Sequence, residues 1–181
     1  MPPRVRIVHL SQPTHAAIAA GDLAEANRLS PVPLNPVFVT ESFRSTFARR
    51  ATQLLEHPED EPWVTGVIWD EDLGVAVGAA GFHGSPDDDG MVEIGYSVDP
   101  AYRRRGYARA AFQELLDRAH ADPTVKVLRT SISPDNEASL SLSHSFGLLP
   151  NGEQWDEEDG LELIFEIPTD SAGLRESTET P

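Results

Sequence analysis

The chain has 181 residues with 30 acidic and 14 basic side chains, a formal charge of −16 and no cysteine. This length fits one domain with a sizeable core. Nucleic acids and anionic membranes select basic surfaces, so the charge argues against both as principal partners. The lack of cysteine excludes a disulfide framework and a thiolate nucleophile. Because no apolar run approaches the roughly 18 residues of a membrane span, we expect a cytoplasmic protein.

Positive charge is concentrated in one short stretch. No Lys or Arg occurs between Arg50 and Arg103, whereas twelve acidic residues do. Four arginines then fall within the seven positions from Arg103 to Arg109. Such a patch on an acidic protein suits a small polyanionic ligand. The acidic stretch is equally typical of a surface that only maintains solubility.

Periodicity predicts the elements that precede this stretch. They are a strand over 5–10, a helix over 13–27 interrupted at 21–22, a proline-rich loop over 29–36, a helix over 41–56 and a hairpin of strands over 62–69 and 75–83. Thr40 is the expected N-cap of the second helix. Core packing is sufficient to explain the apolar faces of both helices.

The segment from Met91 to Val98 alternates as a strand does. Val92, Ile94, Tyr96 and Val98 share a face suited to a core, and Met91, Glu93, Gly95 and Ser97 share the other. The second face offers a carboxylate, a bare backbone and a hydroxyl, which suits a cleft. Asp99 and Pro100 end the strand, since proline cannot donate to a ladder.

A basic turn follows and leads directly into a helix. The residues from Arg103 to Gly106 precede an amphipathic pattern over 108–119. Unpaired N–H groups converge at a helix N-terminus and favour anions, and a glycine lets phosphate oxygens approach the backbone. The sequence therefore predicts a phosphate site here. A solvated basic helix start is the alternative.

The last third reads as a strand, a short helix and a hairpin. We expect a strand over 125–132, a helix capped by Asp135 or Asn136 and ended by Gly147, and a closing hairpin of 153–155 with 161–167. The composition after Pro168 is rich in Ser, Thr, Glu and Pro, so we predict one domain over 1–168 and a disordered tail over 169–181.

Two motifs resemble the signatures of the GNAT family of acyl-CoA-dependent N-acyltransferases. The first consists of Arg103, Gly106 and Ala108, preceded at the expected distance by the strand end 98–100. The second is matched by Asn136, Ser139, Leu142 and Gly147, whereas Ser143 stands where many members have tyrosine and Leu148 replaces a phenylalanine. The resemblance is strongest to the ribosomal-protein N-terminal alanine acetyltransferase (RimJ/RimL-like) branch. It implies an α/β fold with a mixed, mostly antiparallel central sheet flanked by helices.

The resemblance also implies an activity and a set of binding residues. The activity is direct transfer of an acetyl group from acetyl-CoA to a primary amine, either a small molecule or a peptide N-terminus, in a ternary complex. The residues expected to bind acetyl-CoA are Ser97, Val98, Arg103, Arg104, Arg105, Gly106, Tyr107, Ala108 and Asn136. No metal is expected, because the histidines show no ligand spacing. A homodimer is left open.

Each candidate for the chemistry has an ordinary alternative. Glu93 is the expected general base, because acyl transfer needs a neutral amine; it could also be a solvated carboxylate that only positions a cation. Ser143 would return a proton to the thiolate, unless it is a polar surface residue. Asn136 would bond the pantetheine amide, unless it only caps the helix.

Two other classes of protein compete with the enzyme. An acyl-CoA-binding module with little turnover would explain the missing tyrosine at position 143. A nucleotide-binding protein unrelated to CoA would normally carry the Gly-x-x-x-x-Gly-Lys-Ser/Thr pattern, which this sequence lacks.

Overall fold

A computed structural model describes residues 1–157 and 160–169. The α-helices are α1 (Gln12–Ala20), α2 (Leu23–Leu29), α3 (Glu41–Glu56), α4 (Tyr107–Ala121) and α5 (Glu137–Ser145). The strands are β1 (Val5–Val8), β2 (Gly66–Asp70), β3 (Val75–Phe82), β4 (Met91–Val98), β5 (Val127–Ile132), β6 (Leu149–Asp156) and β7 (Gly160–Pro168).

The strands follow one another in the order β1-β2-β3-β4-β5-β7-β6. The pairs β1–β2, β2–β3, β5–β7 and β6–β7 are antiparallel, and β4–β5 is parallel. The parallel pair is separated in sequence by α4, as a crossover connection requires. The predicted fold class, a mixed and mostly antiparallel sheet with flanking helices, is confirmed.

The chain forms two compact units. The first contains Met1–Ser85 and Gly95–Leu115, and the second contains Pro86–Ile94 and the residues from Leu116 onward. Strand β4 and helix α4 therefore each contribute residues to both units. The prediction of one domain over 1–168 stays a prediction.

Aromatic packing dominates the core of the first unit. The ring of Phe38 lies 5.3 Å from that of Phe43 and 6.0 Å from that of Phe47, centroid to centroid. Both partners lie on the apolar face of α3, whose bounds agree with the sequence prediction. Thr40 occupies the N-cap position, but its hydroxyl donates to the carbonyl of Val37 instead of capping α3.

A histidine is fully buried in the same unit. His15 of α1 has Nδ1 3.0 Å from the carbonyl oxygen of Ser11 and Nε2 2.9 Å from that of Thr65. Burial lowers the pKa of His15, and the two carbonyl contacts oppose that change. The side chain therefore adds a pH-sensitive contribution to folding.

The second unit is built on β5, β6 and β7. Its buried residues include Leu128 and Ile132 of β5 and Phe165 of β7. Thr169, which the sequence assigned to the tail, is buried, and its N–H donates to the carbonyl of Lys126 at 2.9 Å. The remainder of the predicted tail, 170–181, lies outside the described residues. Within the described part of the chain, no helix is long and apolar enough to cross a membrane.

Candidate functional site

Strand β4 presents its residues as the sequence alternation predicts. Val92, Ile94 and Val98 are buried, whereas Glu93 and Ser97 on the opposite face are half-buried. Tyr96 departs from the pattern, because it is only half-buried and packs edge-on against Phe112 at 6.1 Å. The burial along β4 therefore follows the predicted alternation except at Tyr96.

Glu93 lies in a row of charged residues that crosses the second unit. In the strand register Glu93 of β4 pairs with Arg129 of β5, and Arg129 pairs with Glu166 of β7. The Nε atom of Arg129 donates to Oε1 of Glu166 at 2.7 Å. Paired residues of adjacent strands project to the same face, so a guanidinium is the neighbour of Glu93 on the β5 side. The parallel pairing of β4 with β5 covers only Met91–Glu93.

The end of β4 packs closely against β3. A Cβ atom on Gly78 would lie 2.3 Å from the carbonyl oxygen of Ser97 and 2.9 Å from the Cα of Val98. No side chain fits between these backbones. The N–H of Asp99 donates to the carbonyl of Val77 at 2.9 Å, so the strand end is positioned by main-chain contacts.

The basic turn has a distinctive backbone conformation. Arg104 has a φ of 60° and Gly106 a φ of 88°, so two residues of the turn are left-handed. Arg103 before them is extended, with a φ of −62° and a ψ of 159°. Left-handed residues in a turn help to direct successive N–H groups into one concavity, which favours anions. Helix α4 begins directly after the turn, at Tyr107, and adds its own unpaired N–H groups. The turn therefore combines left-handed backbone with a helix start, the local features on which the predicted phosphate site depends.

The arginines of the turn serve different purposes. The Nε atom of Arg103 donates to the carbonyl of Val98 at 3.1 Å and so attaches the turn to the strand end. The guanidinium carbon of Arg105 lies 5.5 Å from the ring centroid of Tyr102. Arg104 and Arg105 are exposed, as an anion-binding role requires. The N-terminal segment lies nearby, since a Cβ on Gly106 would be 3.3 Å from the Cδ of Pro3.

The side chain of Tyr107 is buried, so it points away from any ligand on the exposed turn. Its hydroxyl donates to Oδ2 of Asp70 at 2.6 Å, and Oδ1 of Asp70 accepts the N–H groups of Asp72 and Leu73. Burial, with Asp70 as a second cause, raises the pKa of Tyr107 to about 12. Burial alone would raise the pKa of Asp70, but the hydrogen bonds that it accepts lower it. Of the predicted binding residues, Tyr107 can therefore offer only its main chain, and Ala108 follows half-buried in α4.

The second unit places two other predicted residues on or beside α5. Oδ1 of Asn136 accepts the N–H of Ser139 at 3.2 Å, which is the capping role named as the alternative. Ser143 is fully buried, and its Oγ has no hydrogen-bond partner among the described residues. Ser143 is thus not the polar surface residue of the alternative interpretation.

His83 was missed by the sequence analysis. Its Nε2 lies 3.0 Å from the position that a Cβ on Gly95 would take, so the imidazole lies on the bare backbone of β4. The carbonyl of His83 accepts hydrogen bonds from Arg50 and Gln53 of α3. Gln53 also donates to the buried Asp60, at 2.7 Å. Only the glycine at position 95 could have indicated that something approaches this strand.

Metal chemistry has no candidate site in the described ranges. No group of three or more His, Cys, Asp or Glu side chains there could bind a metal ion.

These features define an α/β protein with a basic, partly left-handed turn between a strand end and a helix. The model of the acetyltransferase (GNAT) domain matches residues 4–148, and the chain belongs to this family. The resemblance found in the sequence motifs is confirmed at the level of the family.

Curated relatives and solved structures support the same assignment. The relatives are 27–34% identical to the chain, which spans 43–64% of their length. One, from Streptomyces coelicolor, is an L-2,4-diaminobutyric acid acetyltransferase that is 31% identical over 65% of this chain and 64% of its own.

Two solved structures share the fold. A chimeric spermidine N-acetyltransferase from Vibrio cholerae has a TM-score of 0.65 at 13% identity, covering 92% of this chain and 96% of its own. A ribosomal-protein-S5-alanine acetyltransferase from Vibrio fischeri has a TM-score of 0.62 at 18% identity, covering 92% and 93%. Proteins named for three different acceptors thus resemble this chain, and the RimJ/RimL-like branch is not singled out.

Proposed function

We propose that the protein is an N-acetyltransferase that moves an acetyl group from acetyl-CoA to a primary amine by direct transfer. The observation that carries the proposal is the exposed turn at Arg103–Gly106, with left-handed residues at Arg104 and Gly106 immediately before α4. Membership of the GNAT family supplies the reaction class.

The turn would bind the diphosphate of acetyl-CoA through its main-chain N–H groups. Arg104 and Arg105 would add charge-assisted hydrogen bonds, which are shorter and stronger than neutral ones. Arg103 contributes in another way, because its bond to the carbonyl of Val98 joins the turn to the strand end. The anion and the reacting group would therefore be positioned by one continuous segment.

The end of β4 would orient the thioester. The pantetheine arm would lie along the strand as an added strand does, with Ser97 and Val98 contributing backbone groups. A main-chain N–H at Val98 would polarise the thioester carbonyl and stabilise the oxyanion. The close approach of Gly78 supports this role, because it fixes the backbone of both residues.

Glu93 would accept the proton from the incoming amine. It lies on the cleft-facing side of β4, two residues before Gly95, and Arg129 is its neighbour in the strand register. Ser143 would return a proton to the departing thiolate. Asn136 would bond the pantetheine amide through Nδ2, since its Oδ1 caps α5. For Ser143 the support is its burial without a partner among the described residues.

The acceptor would be a small-molecule amine or a peptide N-terminus. Diaminobutyric acid and spermidine, the compounds in the names of two similar proteins, carry more than one amine. The net charge of −16 favours such a cationic acceptor over an anionic one. Membership of the RimJ/RimL-like branch would instead favour a peptide N-terminus.

Calorimetry with acetyl-CoA tests the binding half of the proposal. The double variant Arg104→Glu/Arg105→Glu should raise the Kd at least about tenfold, because a hydrogen bond to a charged group contributes about 1.5–3 kcal/mol. Arg28→Glu is the control, since it reverses an exposed arginine on α2. An unchanged Kd in the double variant, or no binding by the natural chain, would refute the phosphate site.

Release of free CoA across a panel of amines tests the catalytic half. The panel should include diaminobutyrate, spermidine and a peptide with an N-terminal alanine. Glu93→Gln should lower turnover about 100-fold or more with little change in acetyl-CoA affinity. Binding without turnover by the natural chain would identify the acyl-CoA-binding module, which the serine at position 143 favours as the second candidate.

A further inference from the structure

We propose that His83 is a second proton acceptor in the same reaction, working on the face of β4 that carries Glu93. The inference rests on the proposed acetyltransferase function and extends it to a residue outside both signatures. It is carried by the position of the imidazole over Gly95 and by the contacts that fix the backbone of His83.

The imidazole lies where a side chain of β4 would otherwise be. Its Nε2 is 3.0 Å from the Cβ position of Gly95, a separation that leaves almost no room for a methyl group. Gly95 alternates with Ser97 on the same face, and residues two apart on a strand are separated by about 7 Å. The imidazole is therefore separated from Ser97, whose backbone is proposed to orient the thioester, by about 7 Å along the strand. A small amine could span that distance.

A dedicated polar network fixes the backbone of His83. Its carbonyl accepts a hydrogen bond of 3.0 Å from Arg50 and one of 2.9 Å from Gln53. Arg50 and Gln53 are bonded to each other at 2.7 Å, and Gln53 also donates to Asp60. Asp60 accepts the N–H of Ser85 as well, at 3.0 Å. Residues on both sides of Gly84 are thus attached to one buried carboxylate.

The carboxylate of Asp60, at the centre of this network, is ionised at neutral pH. Burial alone would raise the pKa of Asp60, but the hydrogen bonds from Ser85 and Gln53 lower it. A carboxylate is costly to bury unless hydrogen bonds replace those it made to water. Gln53 and Ser85 supply these bonds and attach the segment that carries His83 to Asp60.

An imidazole suits the proton that must be removed. The acceptor amine arrives as an ammonium ion with an ordinary pKa near 10, and imidazole titrates near 6.5, closer to the working pH than a carboxylate does. Nε2 of His83 would take one proton from the ammonium group and pass it to solvent, since His83 is exposed. The neutral amine then forms the C–N bond and the C–S bond breaks. Glu93 accepts the second proton of the amine, and a proton reaches the departing thiolate through Ser143.

Three charged groups lie on the elements that contact the His83 segment or on the same face of β4 as Gly95. Arg50 of α3 binds its carbonyl, Asp60 of the 58–60 turn binds Gln53 and Ser85, and Glu93 shares the face of β4 with Gly95. The pH profiles of variants at Arg50, Asp60 and Glu93 are therefore to be measured beside that of His83→Gln.

The pH dependence of kcat/KM in His83→Gln tests the inference. The substrate is the amine that the natural chain acetylates best, and we expect a loss of about 100-fold at neutral pH. The fall in kcat/KM at low pH that reflects protonation of an imidazole (the acid limb of the profile) should disappear. The Kd for acetyl-CoA should not change. His120→Gln is the matched control, because His120 is exposed on α4. His83→Asn serves if the glutamine variant fails to fold.

A measurement independent of turnover accompanies the kinetics. The Cε1–H resonances of the six histidines are titrated by NMR with and without CoA plus the amine, a mixture that cannot react. The His83 resonance, identified by its loss in His83→Gln, should change its titration, and the His120 resonance should not.

The outcomes separate the two claims. Normal kcat/KM with an intact acid limb in His83→Gln, or a His83 resonance indifferent to the amine, overturns the inference and leaves the acetyltransferase proposal standing. No turnover of any amine by the natural chain overturns the acetyltransferase proposal, and this inference with it.

Discussion

Replacing Tyr107 by Phe should destabilise the first unit without touching the turn. The substitution removes one oxygen atom and keeps the ring. That oxygen donates at 2.6 Å to Oδ2 of Asp70, and Asp70 is 3% exposed. The described residues offer no second donor to Oδ2. The variant would therefore leave this buried oxygen of Asp70 without a hydrogen bond.

The magnitude follows from the hydrogen bond to Asp70. A hydrogen bond to a charged group contributes about 1.5–3 kcal/mol, and loss of the donor leaves the acceptor unsatisfied. The pH dependence is a separate effect: burial, with Asp70 as a second cause, raises the pKa of Tyr107 to about 12. A rise from the ordinary value of about 10 corresponds to about 2.7 kcal/mol of stability that is lost when the phenol ionises. Because this pKa is raised on folding, the stabilisation is fully present below about pH 10 and is lost between about pH 10 and 12.

Urea denaturation at pH 7 checks the value. We expect Tyr107→Phe to lose about 2–3 kcal/mol of unfolding free energy. Tyr102→Phe is the control and should lose little, because it keeps the ring that lies against Arg105. Ultraviolet titration of the three tyrosines gives a second check, since the late ionisation near pH 12 should be absent from Tyr107→Phe alone. A loss below about 0.5 kcal/mol would show that the Asp70 hydrogen bond is not a net stabiliser.

Three further changes have defined outcomes. Gly78→Ala should cost about 1–3 kcal/mol in urea and weaken acetyl-CoA binding, because its Cβ would lie 2.3 Å from the carbonyl oxygen of Ser97; an unaltered Kd would argue that the strand end does not bind the cofactor. Burial lowers the pKa of His15, so the unfolded state takes up the proton first and stability should fall as pH drops below about 6.5; His15→Gln should lack this component, and an identical pH dependence of the urea midpoint would contradict it. Asn136→Ser should retain the cap of α5 and its stability but weaken acetyl-CoA binding; unchanged affinity would leave Asn136 with capping alone.

The features of the fold and site that could be predicted from the sequence are those that depend on short-range patterns. The alternation over Met91–Val98 gave the bounds of β4, and the apolar stripe of α3 gave Glu41–Glu56. The basic turn was recognisable because glycine and a helix start are local requirements. Its second left-handed residue, Arg104, was not, since no local rule marks an arginine for that conformation.

The rest depends on contacts between residues far apart in sequence. Tyr107 was predicted to bind the cofactor because it lies inside the motif. Its hydroxyl instead donates a hydrogen bond to Asp70, which is 37 residues away in sequence. His83 was set aside for lack of metal-ligand spacing, although its position follows from Gln53 and Asp60. The surface role named as the alternative for Ser143 is wrong, because Ser143 is buried.

The position of Pro3 beside Gly106 has a practical consequence for every binding experiment described above. An affinity tag fused ahead of Met1 would begin a few residues from the turn proposed to bind the diphosphate. A polyhistidine there would compete with the arginines for the diphosphate or obstruct access to the turn. Binding constants measured with such a fusion would report the tag as well as the protein. Tagging at the other end, or removing the tag before calorimetry, avoids the artefact.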